Sequence, residues 1–158
     1  MRSRAWFTSC LIVLMTMVGG VAIASSRIAA EESMTVYTET ARYRFVDNGK
    51  KGSSVGDHDL YFDAIFSDEG KTVRIGTDRV VVEYMQSTYA MVQLEFTIQG
   101  RGKIYAAGTL DFGESFLEGT GGDLSIVGGT GEFENVGGSV HLSVFDDETF
   151  KNEMHLLP

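Results

Sequence analysis

The sequence predicts an all-β protein, an eight-stranded antiparallel β-barrel with a hydrophobic helix in front of it. Short runs rich in Val, Ile, Thr, Tyr and Phe recur about every 8–12 residues between clusters of Gly, Asp and Asn, a rhythm typical of sandwiches and barrels. In the runs at 91–98 and 103–112, apolar and polar residues alternate, as in strands that bury one face. No segment beyond residue 33 shows a capped helical period, and closure into a barrel removes the open edges of a sheet.

The first part of the chain carries the marks of an export signal. Two arginines precede an uncharged run at 5–24, which ends in Ala-Ile-Ala followed by two serines. A run of about 20 residues also suffices to span a bilayer, so an uncleaved membrane anchor is the alternative. We predict a signal peptide or anchor at 1–24, a flexible leader at 25–33 and a barrel domain at 34–158. The protein is then expected to be exported, either secreted or held at the outer face of the membrane.

Eight strands are expected in the barrel domain, joined by short polar connections. The turns at 68–71 and 100–102 contain glycine, which supplies the positive φ that a tight hairpin needs. The expected strands lie near Thr35–Val46, Asp59–Ser67, Val73–Met85, Tyr89–Gln99, Lys103–Phe112, Asp123–Val127, Ser139–Phe145 and Thr149–Leu156.

Composition and charge exclude several classes of protein. With 43% hydrophobic and 22% charged residues in a chain of 158, the sequence is that of one globular domain and not of a disordered chain. Thirteen basic residues against 22 acidic ones give a net charge of −9. An acidic surface repels phosphate backbones and anionic lipid headgroups, so we expect no nucleic-acid partner.

The predicted barrel lacks the patterns that bind metals and nucleotides. The single cysteine, Cys10, lies in the predicted signal, which leaves the barrel without a thiol for a disulfide or a thiolate site. The three histidines stand far apart, with no His or Cys partner at metal spacing. The glycine-rich stretches 119–122 and 128–131 lack the Lys, the Ser or Thr and the helix of a phosphate-binding loop, which favours tight turns. We therefore predict neither a metal nor a cofactor.

Two stretches resemble the allene oxide cyclase barrel. The segment from Val55-Gly56-Asp57 to Phe62, with the turn that follows at 66–71, is similar to the start of that barrel. The segment 123–138, which contains Ile-Val-Gly-Gly-Thr-Gly, is similar to a glycine-rich signature shared by allene oxide cyclases and the related dirigent proteins. These stretches fall within residues 55–145, and the resemblance implies the same eight-stranded barrel.

Three branches of this superfamily imply different chemistry. Plant allene oxide cyclases use a lumenal Glu with a Pro on an early strand, but that Pro position is Tyr61 here. Dirigent proteins steer phenoxy-radical coupling with paired lumenal aspartates, but their early Asp-Asp-Pro-Leu motif is not visible. The segments 61–70, 82–84 and 104–112 are more similar to bacterial cyclases of tetronate polyketides in antibiotic biosynthesis, which include Diels–Alder catalysts that form spirotetronates.

The resemblance to the tetronate cyclases assigns a site inside the barrel. Carried over by position, the catalytic residues are Glu39, Tyr61 and Gln93, and the substrate-binding residues are Phe112, Val140 and Leu142. Glu39 or Gln93 would hydrogen-bond a tetronate or carbonyl, and Glu39 would act as a general base if the ring closes through oxygen. Departures from the branch's pattern occur at Gln93, Val140 and Leu142, which leaves the ring type open.

The implied function is that of a cofactor-independent cyclase. Holding the reacting ends of a hydrophobic tetronate-type polyketide near contact would promote [4+2] cycloaddition or oxa-cyclisation, since positioning alone lowers a barrier by about 7–11 kcal/mol. The alternatives are an exported dirigent-like protein and a ligand-binding barrel without catalysis, in which the same residues merely fill the interior. Barrels of this family associate through their outer walls, so a homodimer or homotrimer is expected.

Overall fold

Eight antiparallel strands close into a barrel in the computed structural model, which describes residues 30–52 and 54–158. Each strand pairs with its neighbours in the chain, and β1 pairs with β8 to complete the ring. The strands are β1 (Glu32–Val46), β2 (His58–Phe66), β3 (Arg74–Tyr84), β4 (Tyr89–Ile98), β5 (Gly102–Asp111), β6 (Gly122–Gly131), β7 (Gly137–Asp146) and β8 (Thr149–Leu157). The predicted all-β barrel is confirmed, whereas the helix expected at 5–24 lies outside the described residues.

Alternation along the strands builds the interior. In β4, Val92, Leu94 and Phe96 are buried, while the residues between them lie on the outer wall. Successive side chains of a strand point to opposite faces, so one polar-apolar repeat places a whole row of apolar side chains inside. Burying a side chain of this size contributes about 1.5–3 kcal/mol to folding relative to its exposure.

A bulge in β1 changes which of its side chains face inward. The register with β2 shifts between Thr40 and Arg42, so one extra residue is accommodated there. Before the bulge the buried positions are Val36 and Thr38. After it, Tyr43 pairs with the inward-facing Tyr61 near one end of the barrel.

The two ends of the barrel differ. At the end where β1 begins, Arg101 binds Glu32 at 3.1 Å and Glu132 at 2.7 Å, and its guanidinium lies 4.8 Å from the centre of the Phe133 ring. The interior behind this network is filled by fully buried side chains. They include Phe96, Ile104, Phe133 and Leu156. We call this the closed end. The opposite end, which carries residues 47–52 and 54–57 and the connections 85–88 and 112–121, we call the open end.

The two glycine-rich stretches have different structures. Gly119 and Gly121, with φ of 92° and 69°, belong to the connection into β6, which agrees with the predicted turn. The stretch 128–131 lies inside β6, so the turn predicted there was wrong. A Cβ at Gly129 would lie 2.4 Å from the Phe133 carbonyl oxygen and 2.5 Å from that of Lys103, so close strand contact is what requires glycine.

One short helical turn, Phe116–Thr120, interrupts the all-β pattern in the β5–β6 connection. It brings Phe116 into the interior, where this side chain is 3% exposed. Within the described part of the chain, no helix has the length and apolar character needed to cross a membrane.

Candidate functional site

The open half of the barrel encloses a cavity of about 240 Å³. Side chains from six of the strands and from the β5–β6 connection surround it. The described residues that line it are Thr38, Tyr61, Asp63, Asp78, Val80, Val82, Tyr84, Val92, Leu94, Phe112, Phe116, Leu117, Leu142, Phe150 and Asn152.

Most of the cavity wall is apolar. Valines and leucines of β3, β4 and β7 and three phenylalanines make up this apolar part. The Phe112 and Phe116 rings meet edge to face at 4.8 Å, and Phe116 lies 6.5 Å from the Phe150 ring. Leu117 is 65% exposed, so it stands at the rim of the cavity.

Two aspartates line the cavity on the side toward the closed end. Asp63 of β2 and Asp78 of β3 are register partners, and they are only 5% and 2% exposed. Partners in antiparallel strands bring their Cβ atoms to about 4.5–5.5 Å, close enough for the two carboxyls to share a hydrogen bond. The Oδ1 atom of each is buried without a hydrogen-bond partner among the described residues.

The environment of this pair favours one shared proton. Burial raises the pKa of Asp78 well above its ordinary value, and the charge of Asp63 beside it raises it further. Burial also raises the pKa of Asp63, although hydrogen bonds from Asp78 and Thr40 oppose that shift. Two adjacent buried carboxyls cannot both ionise readily, so this environment favours a pair that shares a proton over two carboxylates.

A third aspartate, Asp59, binds two tyrosine hydroxyls at the open end. The Asp59 carboxylate accepts hydrogen bonds from the Tyr43 hydroxyl at 2.5 Å and from the Tyr84 hydroxyl at 2.6 Å. The hydrogen bond to Asp59 raises the pKa of Tyr43 to about 12, and burial raises the pKa of Tyr61 and of Tyr84. All three hydroxyls therefore stay protonated near neutral pH.

A buried amide completes the polar lining. Asn152 of β8 is 1% exposed and donates a hydrogen bond from its Nδ2 to the Thr38 hydroxyl at 3.1 Å. Both side chains border the cavity. An amide and a hydroxyl at this depth offer fixed hydrogen-bonding groups to a bound molecule.

Four of the six site residues predicted from the sequence lie inside the barrel. Tyr61, Phe112 and Leu142 line the cavity, and Val140 is fully buried in the interior without being among the lining residues. Their roles in binding or catalysis stay predictions.

Glu39 and Gln93 lie on the outer wall, so their predicted place in the lumen was wrong. Gln93 falls between the buried Val92 and Leu94 and is exposed. Glu39 follows the buried Thr38 and forms an ion pair with Lys71 at 2.7 Å. The strand repeat places both side chains outside, whereas their assignment came from family resemblance by position.

Sequence reasoning missed the three lumenal aspartates. Asp59, Tyr61, Asp63 and Ile65 alternate on the inward face of β2, and Asp78 occupies the inward face of β3. A carboxylate at an inward position of an otherwise apolar row was the signal that could have found them, because buried charges are rare without a function or a partner.

The histidines of the described chain do not form a metal centre. His58, His141 and His155 each lie near a carboxylate on the outer surface, at 3.6, 2.8 and 3.4 Å from Glu83, Asp123 and Glu31. Among the described residues, no three His, Cys, Asp or Glu side chains are grouped to hold a metal ion.

Comparison with known proteins places the fold in a family. Residues 32–155 match the model of the allene oxide cyclase barrel like domain, and no curated protein matches the sequence. A pyocyanin demethylase structure is 25% identical, with a TM-score of 0.67 over 80% of this chain and 100% of that one. AbnU, an exo-specific intermolecular Diels-Alderase, is 18% identical, with a TM-score of 0.62 over 80% and 98% of the two chains.

A dirigent protein shares the barrel as well. The pterocarpan synthase dirigent protein PsPTS1 is 15% identical, with a TM-score of 0.65 over 82% of this chain and 96% of that one. At these identities the likeness of AbnU and of PsPTS1 concerns the fold. The resemblance to allene oxide cyclase, dirigent and Diels-Alderase barrels is confirmed.

Proposed function

The chain belongs to the allene oxide cyclase barrel-like family, and from this premise we propose that it is a cyclase that acts on a compact hydrophobic molecule in its lumen without a cofactor. The observation that carries the proposal is the carboxyl pair Asp63–Asp78 beside an apolar cavity. A titratable pair with shifted pKa values in a concave apolar site is a candidate acid–base centre.

The cavity limits the size of the substrate. Ligand sites usually measure about 300–1,000 Å³, whereas this cavity measures about 240 Å³. A small fused-ring molecule, or a chain that folds to that size, fits such a volume. The tetronate-type polyketide implied by the resemblance fits it only as a short, folded chain.

In this proposal Asp78 acts as the general acid and Asp63 as the general base. Asp78, which holds the shared proton, donates it or a hydrogen bond to a substrate carbonyl oxygen that gains negative charge as the ring closes. Asp63, as the carboxylate, accepts the proton of an attacking hydroxyl when the ring closes through that oxygen. General acid–base assistance of this kind contributes about 10²–10⁴-fold to a rate.

In this proposal the apolar wall of the cavity holds the substrate in a conformation that can react. Tyr61, Phe112 and Leu142 confine the substrate so that its reacting ends stay near contact, which lowers the entropic part of the barrier. In a [4+2] cycloaddition no proton moves, and Asp78 then acts only as a hydrogen-bond donor. Neither reaction requires a nucleophile from the protein.

A dirigent-like role is the second candidate. Paired lumenal aspartates are what the resemblance implies for dirigent proteins, and Asp63 and Asp78 form a pair of that kind. In that role the barrel would be exported and would orient a phenoxy radical that a separate oxidant produces. A barrel that binds a ligand without chemistry is the remaining alternative.

Carboxamide variants of the pair test the cyclase. The assay is single-turnover conversion of short hydroxy-enones and tethered diene–dienophile substrates, followed by chromatography and mass spectrometry. We expect Asp63→Asn and Asp78→Asn to lower the rate of oxa-cyclisation by about 10²–10⁴-fold. Asp123→Asn removes an outer-surface carboxylate, 75% exposed, and serves as the matched control that keeps the wild-type rate.

Two further measurements separate the alternatives. Dialysis against a chelator leaves the rate unchanged if the cyclase needs no metal. Coupling of a phenol by an added one-electron oxidant, with the enantiomeric excess of the dimer as readout, supports the dirigent-like role if the protein raises that excess. Wild-type cyclisation rates in both carboxamide variants would contradict the proposed acid–base centre.

A further inference from the structure

We propose that the lumen selects an organic cation, a flat aromatic ring system that carries one positive charge. The inference rests on the proposed lumenal site, whose preferred ligand it describes by charge and shape, and not on the cyclisation proposed for that site. It follows from the charge of the lining, from the unpartnered oxygens of the carboxyl pair and from the aromatic side chains around them.

The lining carries negative charge with no positive counterpart. Of the fifteen described residues around the cavity, two are acidic and none is Lys, Arg or His. Asp59 stands behind Tyr84, and both of its oxygens are occupied by tyrosine hydroxyls. The whole chain has a net charge of −9, so the field outside the barrel also attracts cations.

The carboxyl pair lacks a cationic partner of its own. Within the described chain, neither Asp63 nor Asp78 takes part in an ion pair, and the Oδ1 atom of each has no hydrogen-bond partner. A buried negative charge without a counter-charge is unfavourable. A cation bound in the cavity would offset that charge, whereas an anionic ligand would add a second charge of the same sign beside it.

The aromatic side chains favour a flat cation over a compact one. Tyr61, Phe112, Phe116 and Phe150 all present rings to the cavity. The faces of aromatic rings carry partial negative charge and attract cations within about 6 Å, most strongly where water is excluded. A delocalised charge on a planar heteroaromatic ring combines this attraction with stacking. A protonated alkylamine of the same charge would be attracted to the ring faces but could not stack on them.

Matched ligands test the inference directly. 1-Methylquinolinium and 1-methylnaphthalene have nearly the same shape and differ by one positive charge, and 1-naphthoate provides an anion of similar size. Binding of each to the purified full chain is measured by calorimetry at pH 7 and about 0.15 M salt, where contacts with exposed charges are largely screened. We expect 1-methylquinolinium to bind at least about tenfold more tightly than 1-methylnaphthalene, and 1-naphthoate to bind most weakly.

Variants show whether the carboxyl pair causes the preference. The double variant Asp63→Asn with Asp78→Asn keeps the shape of the pair and removes its charge, so the tenfold preference should disappear. Asp123→Asn removes one charge from the outer wall and should keep the preference. Circular dichroism of each variant verifies that the barrel remains folded.

The results distinguish the cation preference from the existence of a lumenal binding site. Equal or tighter binding of 1-methylnaphthalene, or tightest binding of 1-naphthoate, overturns the cation preference while leaving a lumenal site in place, provided that Leu142→Trp abolishes that binding. A preference that survives in the double variant assigns the attraction to the outer surface and also overturns the inference. Failure of all three ligands to bind overturns both the inference and the proposed lumenal site.

Discussion

Asp78 is the residue at which burial of a carboxyl is expected to lower the stability of the barrel at neutral pH. It is 2% exposed, and burial together with the charge of Asp63 raises its pKa above the ordinary value of 3.8. The folded chain therefore keeps a proton at pH values where the unfolded chain has lost it. This contribution to stability is fully present below the unfolded pKa and is lost as the pH rises toward the folded pKa.

Asp78→Asn should therefore stabilise the barrel at pH 7 while it removes the proposed acid. Asn presents an N–H to Asp63 much as the protonated carboxyl presents its O–H, and it has no charge to desolvate. We expect the midpoint of thermal unfolding at pH 7 to rise by about 4 °C, equivalent to about 1 kcal/mol for a domain of this size. The difference from wild type should shrink as the pH falls to 4, and circular-dichroism melts across that range measure it. A lower midpoint at pH 7 would show that the pair is not under electrostatic strain.

Glu39 and Gln93 show that matching positions to a related protein does not establish which face of a strand a side chain occupies. Alternation in β4 places Gln93 outside, and the β1 row of Val36 and Thr38 places Glu39 outside as well. Tyr61, Phe112 and Leu142 were assigned by the same resemblance and do line the cavity. The strand repeat decides which of these side chains face the lumen, whereas matching positions to the tetronate cyclase branch does not.

Glu39→Gln should leave cyclisation at the wild-type rate. The side chain is 36% exposed, binds Lys71 on the outer wall and is not among the residues that line the cavity. Single-turnover conversion by the variant, measured beside Asp63→Asn, checks this expectation. A rate lowered by a factor of ten or more would return Glu39 to the catalytic residues that the sequence suggested.

At the level of elements, the number of strands could be predicted because apolar runs recur at regular intervals, and the two-residue repeat of β4 and β5 is visible in the sequence. Strand ends were predicted less accurately: the sequence predicts the end of β6 near Val127, but the strand continues to Gly131. Glycine marks both tight turns and close strand approaches, and only the neighbouring backbone distinguishes the two.

Gly129 and Gly137 provide a matched test of that distinction. A Cβ at Gly129 would lie within 2.7 Å of three atoms of Phe133 and Lys103, two of them backbone oxygens, whereas one at Gly137 would meet nothing within 4 Å. Gly129→Ala should lower the free energy of unfolding by about 1–3 kcal/mol, the usual range for overpacking. Gly137→Ala should leave it nearly unchanged. Urea denaturation of both variants measures the difference, and equal effects would remove close approach as the reason for glycine in β6.

For the whole molecule, the closed barrel could be predicted, but which part of its interior packs solidly and which part encloses a cavity could not. Residues far apart in sequence, such as Thr38, Asp78 and Asn152, meet around the cavity only after closure sets the register of all eight strands. No local pattern reveals which inward rows pack solidly and which leave space. The pairing of Asp63 with Asp78 likewise depends on the β2–β3 register.

This division predicts that stability and binding can be changed separately. Leu142→Trp adds an indole to the cavity, so it should abolish binding of 1-methylquinolinium and of any substrate while the barrel stays folded. Leu156→Ala, at a fully buried position toward the closed end, should lower stability by about 2–5 kcal/mol and leave binding intact below the unfolding transition. Thermal melts and calorimetric titrations of the two variants give a two-by-two comparison. Unchanged binding in Leu142→Trp would place the ligand site outside the cavity, since a filled lumen cannot admit an aromatic molecule of that size.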